Sequence, residues 1–297
     1  MVVTTGFFDG VHLGHRLVIN RLVYEARRRG EQSVVITFWP HPRTVLQNEA
    51  GKLRLLTSLE EKRSLLYSMG VDRVEVIDFT KEFSRLTAEQ YLKEYVIGRF
   101  GGTAILLGYD HRMGCDATGP DQIERTAEAL GLDVIRTPRT GTLLSSTLVR
   151  NAIGAGEVKT ASEMLGRLYG LRGVVVEGRH IGRSIGFPTA NMKLYDPLKL
   201  VPSNGVYAVE VDVLGKTFQG MCNIGVRPTV SGAGIPTIET NIFDFDEQIY
   251  GLDMNVRFVD KIREEAKFPS LEALASQLSE DKIAAKKMLN LVLFHNN

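Results

Sequence analysis

Through the first half of the chain, short apolar runs alternate with stretches of helical periodicity. Val2–Phe7, Ser33–Trp39, Arg73–Phe79, Thr103–Tyr109 and Leu132–Thr137 are rich in β-branched residues and read as buried strands. Leu17–Arg29, Ser58–Met69, Thr87–Arg99 and Asp121–Leu130 lie between them and read as helices. Strands that alternate with helices predict a parallel sheet covered on both faces, a Rossmann-like α/β domain with ligand sites at the carboxyl ends of its strands.

The pattern changes near residue 155. Ser145–Ile153 and Glu157–Leu165 read as helices, and beyond Tyr169 strand alternation takes over. In Val206–Val213, Val209, Val211 and Val213 share one face while Glu210 and Asp212 take the other. Leu214-Gly215-Lys216 marks a turn, Thr237–Phe243 and Leu252–Val259 suggest a further hairpin, and Ser270 is placed to cap a closing helix with Leu271, Leu274 and Leu278 on one face. The expectation is a small antiparallel β-barrel with a C-terminal helix. The 297 residues suit two domains, divided here as 1–158 and 159–297.

Composition narrows the function classes. A chain with 43% hydrophobic and 24% charged residues is neither disordered nor collagen-like. Lys and Arg number 36 against 35 Asp and Glu, so nothing global calls for nucleic acid or an anionic membrane. The two cysteines, Cys115 and Cys222, form no CxxC pair, which favours a reducing cytoplasm. No apolar run reaches the roughly 20 residues of a membrane span, and the start lacks the features of a signal peptide. Whether the chain forms a homo-oligomer is not written in the sequence.

The first strand runs into Gly6-Phe7-Phe8-Asp9-Gly10-Val11-His12-Leu13-Gly14-His15. Gly6 and Gly10 permit a tight turn. His12 and His15, three apart on a first helical turn, project from one side, and a helix start beneath two imidazoles suits a polyphosphate. The alternatives are plain polar residues on a helix start or a pair of zinc ligands, and for zinc no third Cys or His lies nearby in sequence. Gly108–Gly114 follows the fourth strand, where Asp110 suits an adenine or ribose and Arg112 a phosphate. Ser145-Ser146-Thr147 opens a helix after the fifth strand, with Arg150 one turn on.

A second constellation starts at Gly178. Gly178, Gly182 and Gly186 recur every four residues, matching neither the dinucleotide fingerprint nor a Walker A loop. A glycine loop carrying Arg179 and Arg183 can nonetheless close over phosphates, and Pro188 argues against a helix through it. Thr189 and Asn191 offer two hard oxygens suited to Mg²⁺ bound with ATP, although a plain β-turn region reads equally well. Glu239 lies mid-strand, opposite in facing to Ile238, Thr240 and Ile242, where a general base or an ordinary solvated carboxylate fits.

Together these segments resemble the bacterial bifunctional riboflavin kinase/FAD synthetase family. The motifs are G-x-F-D-G-V-H-x-G-H, T-F-W-P-H-P at Thr37–Pro42, G-Y-D-H-R-M-G, S-S-T-x-x-R, G-F-P-T-A-N, N-G-V-Y, N-I-G-V-R-P-T at Asn223–Thr229, and I-E-T. The resemblance covers essentially the whole chain. It implies an N-terminal nucleotidyltransferase domain that adenylylates FMN to FAD and a C-terminal barrel that phosphorylates riboflavin, with ATP as co-substrate and Mg²⁺ as cofactor.

Carried onto this chain, the resemblance has His12 and His15 stabilise ATP phosphates during attack by the FMN phosphate. Gly6, Phe8, Asp9, Gly10, Asp110, Arg112, Ser146, Thr147 and Arg150 would bind ATP, and Pro40, His41 and Pro42 would flank the flavin. In the kinase half, Gly178, Gly182 and Arg183 would meet ATP, Thr189 and Asn191 would hold Mg²⁺, and Glu239 would deprotonate the ribityl 5′-hydroxyl. The chain departs from the pattern at Phe7, where many similar chains carry Asn, and at His111 and Met113, where they carry aromatics. A protein with one active half, or a flavin-binding sensor, is the competing reading. Both expect losses among His12, His15, Thr189, Asn191 or Glu239, and all five are present.

Overall fold

The computed structural model describes residues 1–46, 53–109, 111–138, 144–178, 181–227 and 235–293. The chain gathers into two compact units, Met1–Ser146 and Thr147–Asn297, each with its own core.

In the first unit, β1 (Val2–Thr5), β2 (Ser33–Trp39), β3 (Arg73–Asp78), β4 (Ala104–Leu107) and β5 (Asp133–Arg136) form a parallel sheet in the order β3-β2-β1-β4-β5. Successive residues serve opposite faces, as the pleat requires. Val3, Val34, Ile36 and Ile105 join one core, and Val2, Val35, Ala104 and Leu106 the other. α1 (Leu13–Arg29) covers the second face with Ile19, Leu22, Val23 and Ala26, the spacing of a single helical stripe. β1 leads outward to β2, whereas β4 lies on the opposite side of β1. The direction of winding therefore reverses between β1 and β4, and their carboxyl ends frame the crevice where such sheets bind ligands.

α1 begins at Leu13, four residues before the expected Leu17, because a side-chain cap rather than apolar periodicity starts it. α2 (Pro42–Leu46) is short, and α3 (Leu59–Ser68) opens with a capping box between Ser58 and Glu61. The stretch expected as one helix over Thr87–Arg99 is two pieces: α4 (Ala88–Tyr91), capped by Thr87 and Gln90, then a wider π-type turn over Leu92–Arg99. α5 (Pro120–Ala129) completes the cover of the first face with Ile123 and Ala127. Met113, in place of an aromatic, is buried in that same core.

The second unit starts within α6 (Ser146–Ala155), followed by α7 (Val158–Leu165). Then come β6 (Tyr169–Val176), the single turn α8 (Ile181–Ser184), β7 (Ala190–Leu194), β8 (Gly205–Val213), β9 (Lys216–Arg227), β10 (Ile235–Ile242), β11 (Asp253–Arg263) and α9 (Leu271–Leu293). The strands close an antiparallel barrel in the order β10-β7-β6-β11-β8-β9. Val209, Val211 and Val213 are buried as the alternation requires, and Glu210 and Asp212 meet Arg257 at 3.1 and 2.8 Å. Leu214 and Gly215, both with positive φ (53° and 73°), make the two-residue turn between β8 and β9.

Two expectations are corrected here. Thr237–Phe243 and Leu252–Val259 do not form a hairpin: β10 pairs with β9 and β7, while β11 pairs with β8 and β6. Closing a barrel satisfies every strand edge only by pairing strands distant in sequence, so adjacent strands need not be partners. Ser270 does cap α9, accepting from Ala273 N at 3.2 Å, but Leu271 is 50% exposed. Leu278 and Leu289 pack the helix onto the barrel instead. No helix among the described residues is long and apolar enough to cross a membrane. Cys115 is exposed and Cys222 buried, and both are free thiols.

Candidate active sites

After β1 the backbone turns sharply. Phe8, Gly10 and Val11 all have positive φ (50°, 79° and 40°), a conformation that only Gly10 adopts without strain. The turn is held from beneath. The buried Asp9 carboxylate accepts from Leu56 N at 3.0 Å, Thr57 N at 3.1 Å and Thr57 Oγ1 at 3.2 Å, while Gly10 N donates to Thr57 Oγ1 at 3.1 Å. Ser146 Oγ donates to the Asp9 carbonyl at 2.9 Å. Asp9 thus acts as an anchor for the turn, and its carboxylate points into the protein.

This turn delivers the histidines. His12 caps α1, its Nδ1 accepting from His15 N at 3.3 Å, and the two rings stack with centroids 3.7 Å apart. The Phe8 ring meets His15 edge-on at 5.3 Å. His15 Nδ1 is buried without a hydrogen-bond partner among the described residues. Burial, the neighbouring His12 and the Lys62 ammonium together hold the His15 pKa well below the usual imidazole range. A neutral imidazole with an unsatisfied nitrogen is a ready hydrogen-bonding group for a phosphoryl oxygen.

The 40–42 loop packs against the turn after β1. It begins with a cis Trp39–Pro40 peptide and runs through His41 into α2 at Pro42. The His41 ring meets Phe7 edge-on at 4.0 Å, so this loop adjoins the turn after β1, as a second-substrate site would need. Lys62, on α3, reaches the same place. Its Nζ lies 3.7 Å from the Phe7 ring centroid and donates to Thr37 Oγ1 at 3.3 Å. No motif pointed to Lys62. The available signal was a lysine on the apolar stripe formed by Leu59 and Leu66.

Of the other N-terminal candidates, Asp110 lies outside the described residues. Arg112 is exposed and donates to the Ala117 carbonyl at 3.3 Å. Thr147 and Arg150 lie on α6 in the second unit, Thr147 exposed and Arg150 half-buried.

In the barrel, Glu239 of β10 stands directly across from Asn191 of β7 and Asn223 of β9. Thr189, Glu239, Asn223 and Asn241 line a cavity of about 310 Å³ whose apolar wall includes Phe187 and Phe268. Asn241 Nδ2 donates to the Pro188 carbonyl at 2.7 Å, tying the T-A-N segment to β10. Asn241 was not singled out from sequence, and Asn223 only as the start of a motif with no role given to it, because pairing between strands brings them to the cavity. At the rim, Arg263 makes a forked ion pair with the buried Asp281, closest contact 2.8 Å.

The glycine segment contains one helical turn, α8, that ends before Pro188. Phe187 N donates to the Gly182 carbonyl at 2.8 Å, and Arg183 is exposed. Arg179, like residues 228 and 229 of the N-I-G-V-R-P-T motif, lies outside the described residues. A Cβ on Gly178 would lie 2.1 Å from Asn191 Nδ2, so a larger residue there would push the Asn191 side chain aside. The side-chain oxygens of Thr189 and Asn191 are hard donors at the mouth of this segment. They suit a small cation that brings its remaining oxygens as phosphates and water.

The comparisons with known proteins divide the chain in the same way. A FAD synthetase family model matches residues 1–147, and a riboflavin kinase family model matches residues 165–289. The bifunctional riboflavin kinase/FMN adenylyltransferase of Bacillus subtilis is 35% identical over 288 residues, which cover 95% of this chain and 90% of the relative. The proteins of that name from Pseudomonas fluorescens and Escherichia coli K12 are 36% and 35% identical over 97% and 98% of the chain. A crystal structure from Streptococcus pneumoniae, described as a macrolide-efflux protein, superposes with a TM-score of 0.90 at 32% identity over 96% of this chain and 93% of its own. With both family models matched in order and curated relatives aligned along nearly its whole length, the chain belongs to the bifunctional riboflavin kinase/FMN adenylyltransferase family.

Proposed function

We propose that this protein makes FAD from riboflavin in two steps: ATP-dependent phosphorylation to FMN in the barrel, then transfer of AMP from a second ATP to the FMN phosphate with release of pyrophosphate. The observation that carries the first half is the stacked His12–His15 pair on a strained turn at the carboxyl end of β1, beside the loop of Pro40, His41 and Pro42. There the FMN phosphate oxygen attacks the α-phosphorus of ATP, and the bond to the bridging oxygen of pyrophosphate breaks. The imidazoles bind phosphoryl oxygens as their charge grows. Gly6, Phe8 and Gly10 shape the turn, and Asp110, Arg112, Ser146, Thr147 and Arg150 are the further ATP contacts. Asp9 serves this site by anchoring the turn.

For the barrel the supporting observation is Glu239 in the cavity beside Thr189. Glu239 takes the proton of the ribityl 5′-hydroxyl as that oxygen attacks the γ-phosphorus of ATP, and the bond from that phosphorus to the β,γ-bridging oxygen breaks to release ADP. Thr189 and Asn191 hold Mg²⁺, which screens the phosphate charge, and Gly178, Gly182 and Arg183 contact the nucleotide. The functional division falls between residues 158 and 159. Free thiols and substrates of this kind fit a cytoplasmic enzyme with no need of nucleic acid or membrane.

Incubation with riboflavin, ATP and Mg²⁺ should yield FMN first and FAD later, with both steps abolished by chelation of the metal. FMN without FAD would leave only the kinase, and no turnover would favour a flavin sensor. Gly178→Ala should cut FMN formation by about a hundredfold, because Asn191 must shift by an ångström or more from its present place. FAD formation from supplied FMN should stay at the wild-type rate, measured in the same preparation.

A further inference from the structure

Lys62 is one of the largest fully buried side chains in the protein, and lysine is almost never buried unless paired. Its partners are neutral: the Thr37 hydroxyl at 3.3 Å and the face of Phe7 at 3.7 Å. It makes no ion pair within 4 Å among the described residues. The Asp9 carboxylate is close enough to favour its charged form, but those oxygens already accept from Leu56 and Thr57. Burial outweighs Asp9 and pushes the ammonium down to about 8.

A side chain needed only to fill this space would be better apolar, because an ammonium without a counter-ion is costly to bury. The place of this charge is informative. It lies under the turn that carries His12 and His15, against the ring that touches His41, where the surroundings are dry and a fixed charge acts most strongly. Having no exposed surface, Lys62 acts through its neighbours.

We propose that Lys62 is a positioning residue for adenylyl transfer, a buried cation that braces Phe7 beneath the flavin-side loop and makes the surroundings of His15 more electropositive. This rests on the adenylyl-transfer reading of the first site. The titratable groups that act on Lys62 or feel its charge are Asp9 from the turn and His15 from α1. The sign follows from the charge: Lys62 carries its proton below about pH 8 and loses it above. Transfer should therefore weaken on the alkaline side, and removal of the cation should let the His15 pKa rise.

The test is Lys62→Met in the full-length protein. Four readouts serve: kcat/KM for FMN adenylylation against pH, riboflavin phosphorylation in the same buffers, the His15 imidazole titration followed by NMR, and the thermal midpoint. Expected are a loss of about tenfold to a hundredfold in adenylylation at pH 7, disappearance of the alkaline limb near pH 8, and an upward shift of the His15 titration. Phosphorylation should be unchanged and the thermal midpoint no lower than that of the wild type.

An unaltered pH profile would overturn the proposal. So would a loss of activity that tracks a lowered midpoint while the His15 titration stays in place. If the wild type itself makes no FAD from FMN, the adenylyl-transfer reading fails. The NMR titration then decides for Lys62 alone: an upward shift keeps its electrostatic role, and no shift removes it.

Discussion

His15→Ala should lower conversion of FMN to FAD by about a hundredfold to a thousandfold while riboflavin phosphorylation continues at the wild-type rate. The imidazole stacks on His12 at 3.7 Å and keeps a buried Nδ1 with no hydrogen-bond partner among the described residues. Such a nitrogen gains most when a charged phosphoryl oxygen is placed before it, and the gain is larger in the transition state, where that charge peaks. His15 is the cleaner of the pair to remove. His12→Ala also deletes the cap of α1, adding a stability loss of about 1 kcal/mol that would blur the kinetics. The phosphorylation rate is the control, because Glu239 belongs to the other compact unit. Parallel loss of both activities in His15→Ala would mean that the two reactions do not have separate sites.

Glu239→Gln is the second large effect. It should reduce FMN formation by about a hundredfold to ten-thousandfold, with adenylylation of supplied FMN unchanged. Gln matches Glu in shape and keeps the backbone pairing of β10 with β7 and β9, so the barrel should melt near its original temperature. What is lost is the ability to take a proton from an unactivated alcohol. If FMN formation persists at its normal rate, Glu239 does not act as the base and serves only to line the cavity.

Much of this was legible in the chain because it is governed by local patterning. The bounds of β2 agree to the residue with an apolar β-branched run, and Val209, Val211 and Val213 are buried on the face that a period of two assigns them. The histidine pair could be read from its spacing, since a helix start fixes which side chains share a side. Where local rules conflicted with a cap or with distant packing, they failed. α1 starts at Leu13, directly after a capping histidine, instead of at the expected Leu17, and Leu271 faces outward although its spacing matches Leu274 and Leu278.

By itself the sequence determined the two architectures and their order, and it nominated the residues proposed for the two sites. Only the tertiary structure decided how those residues are held. Asp9 turns inward to fasten residues 56 and 57, Asn191 and Asn223 flank Glu239 from strands on either side, and β10 and β11 part company to close the barrel. Lys62 shows the reason most plainly. In the sequence it is one lysine among many, and its meaning comes from Phe7, Asp9, His15 and Thr37, which the fold brings around it from distant parts of the chain. Burial and long-range charge depend on distances in space, and no local pattern records them.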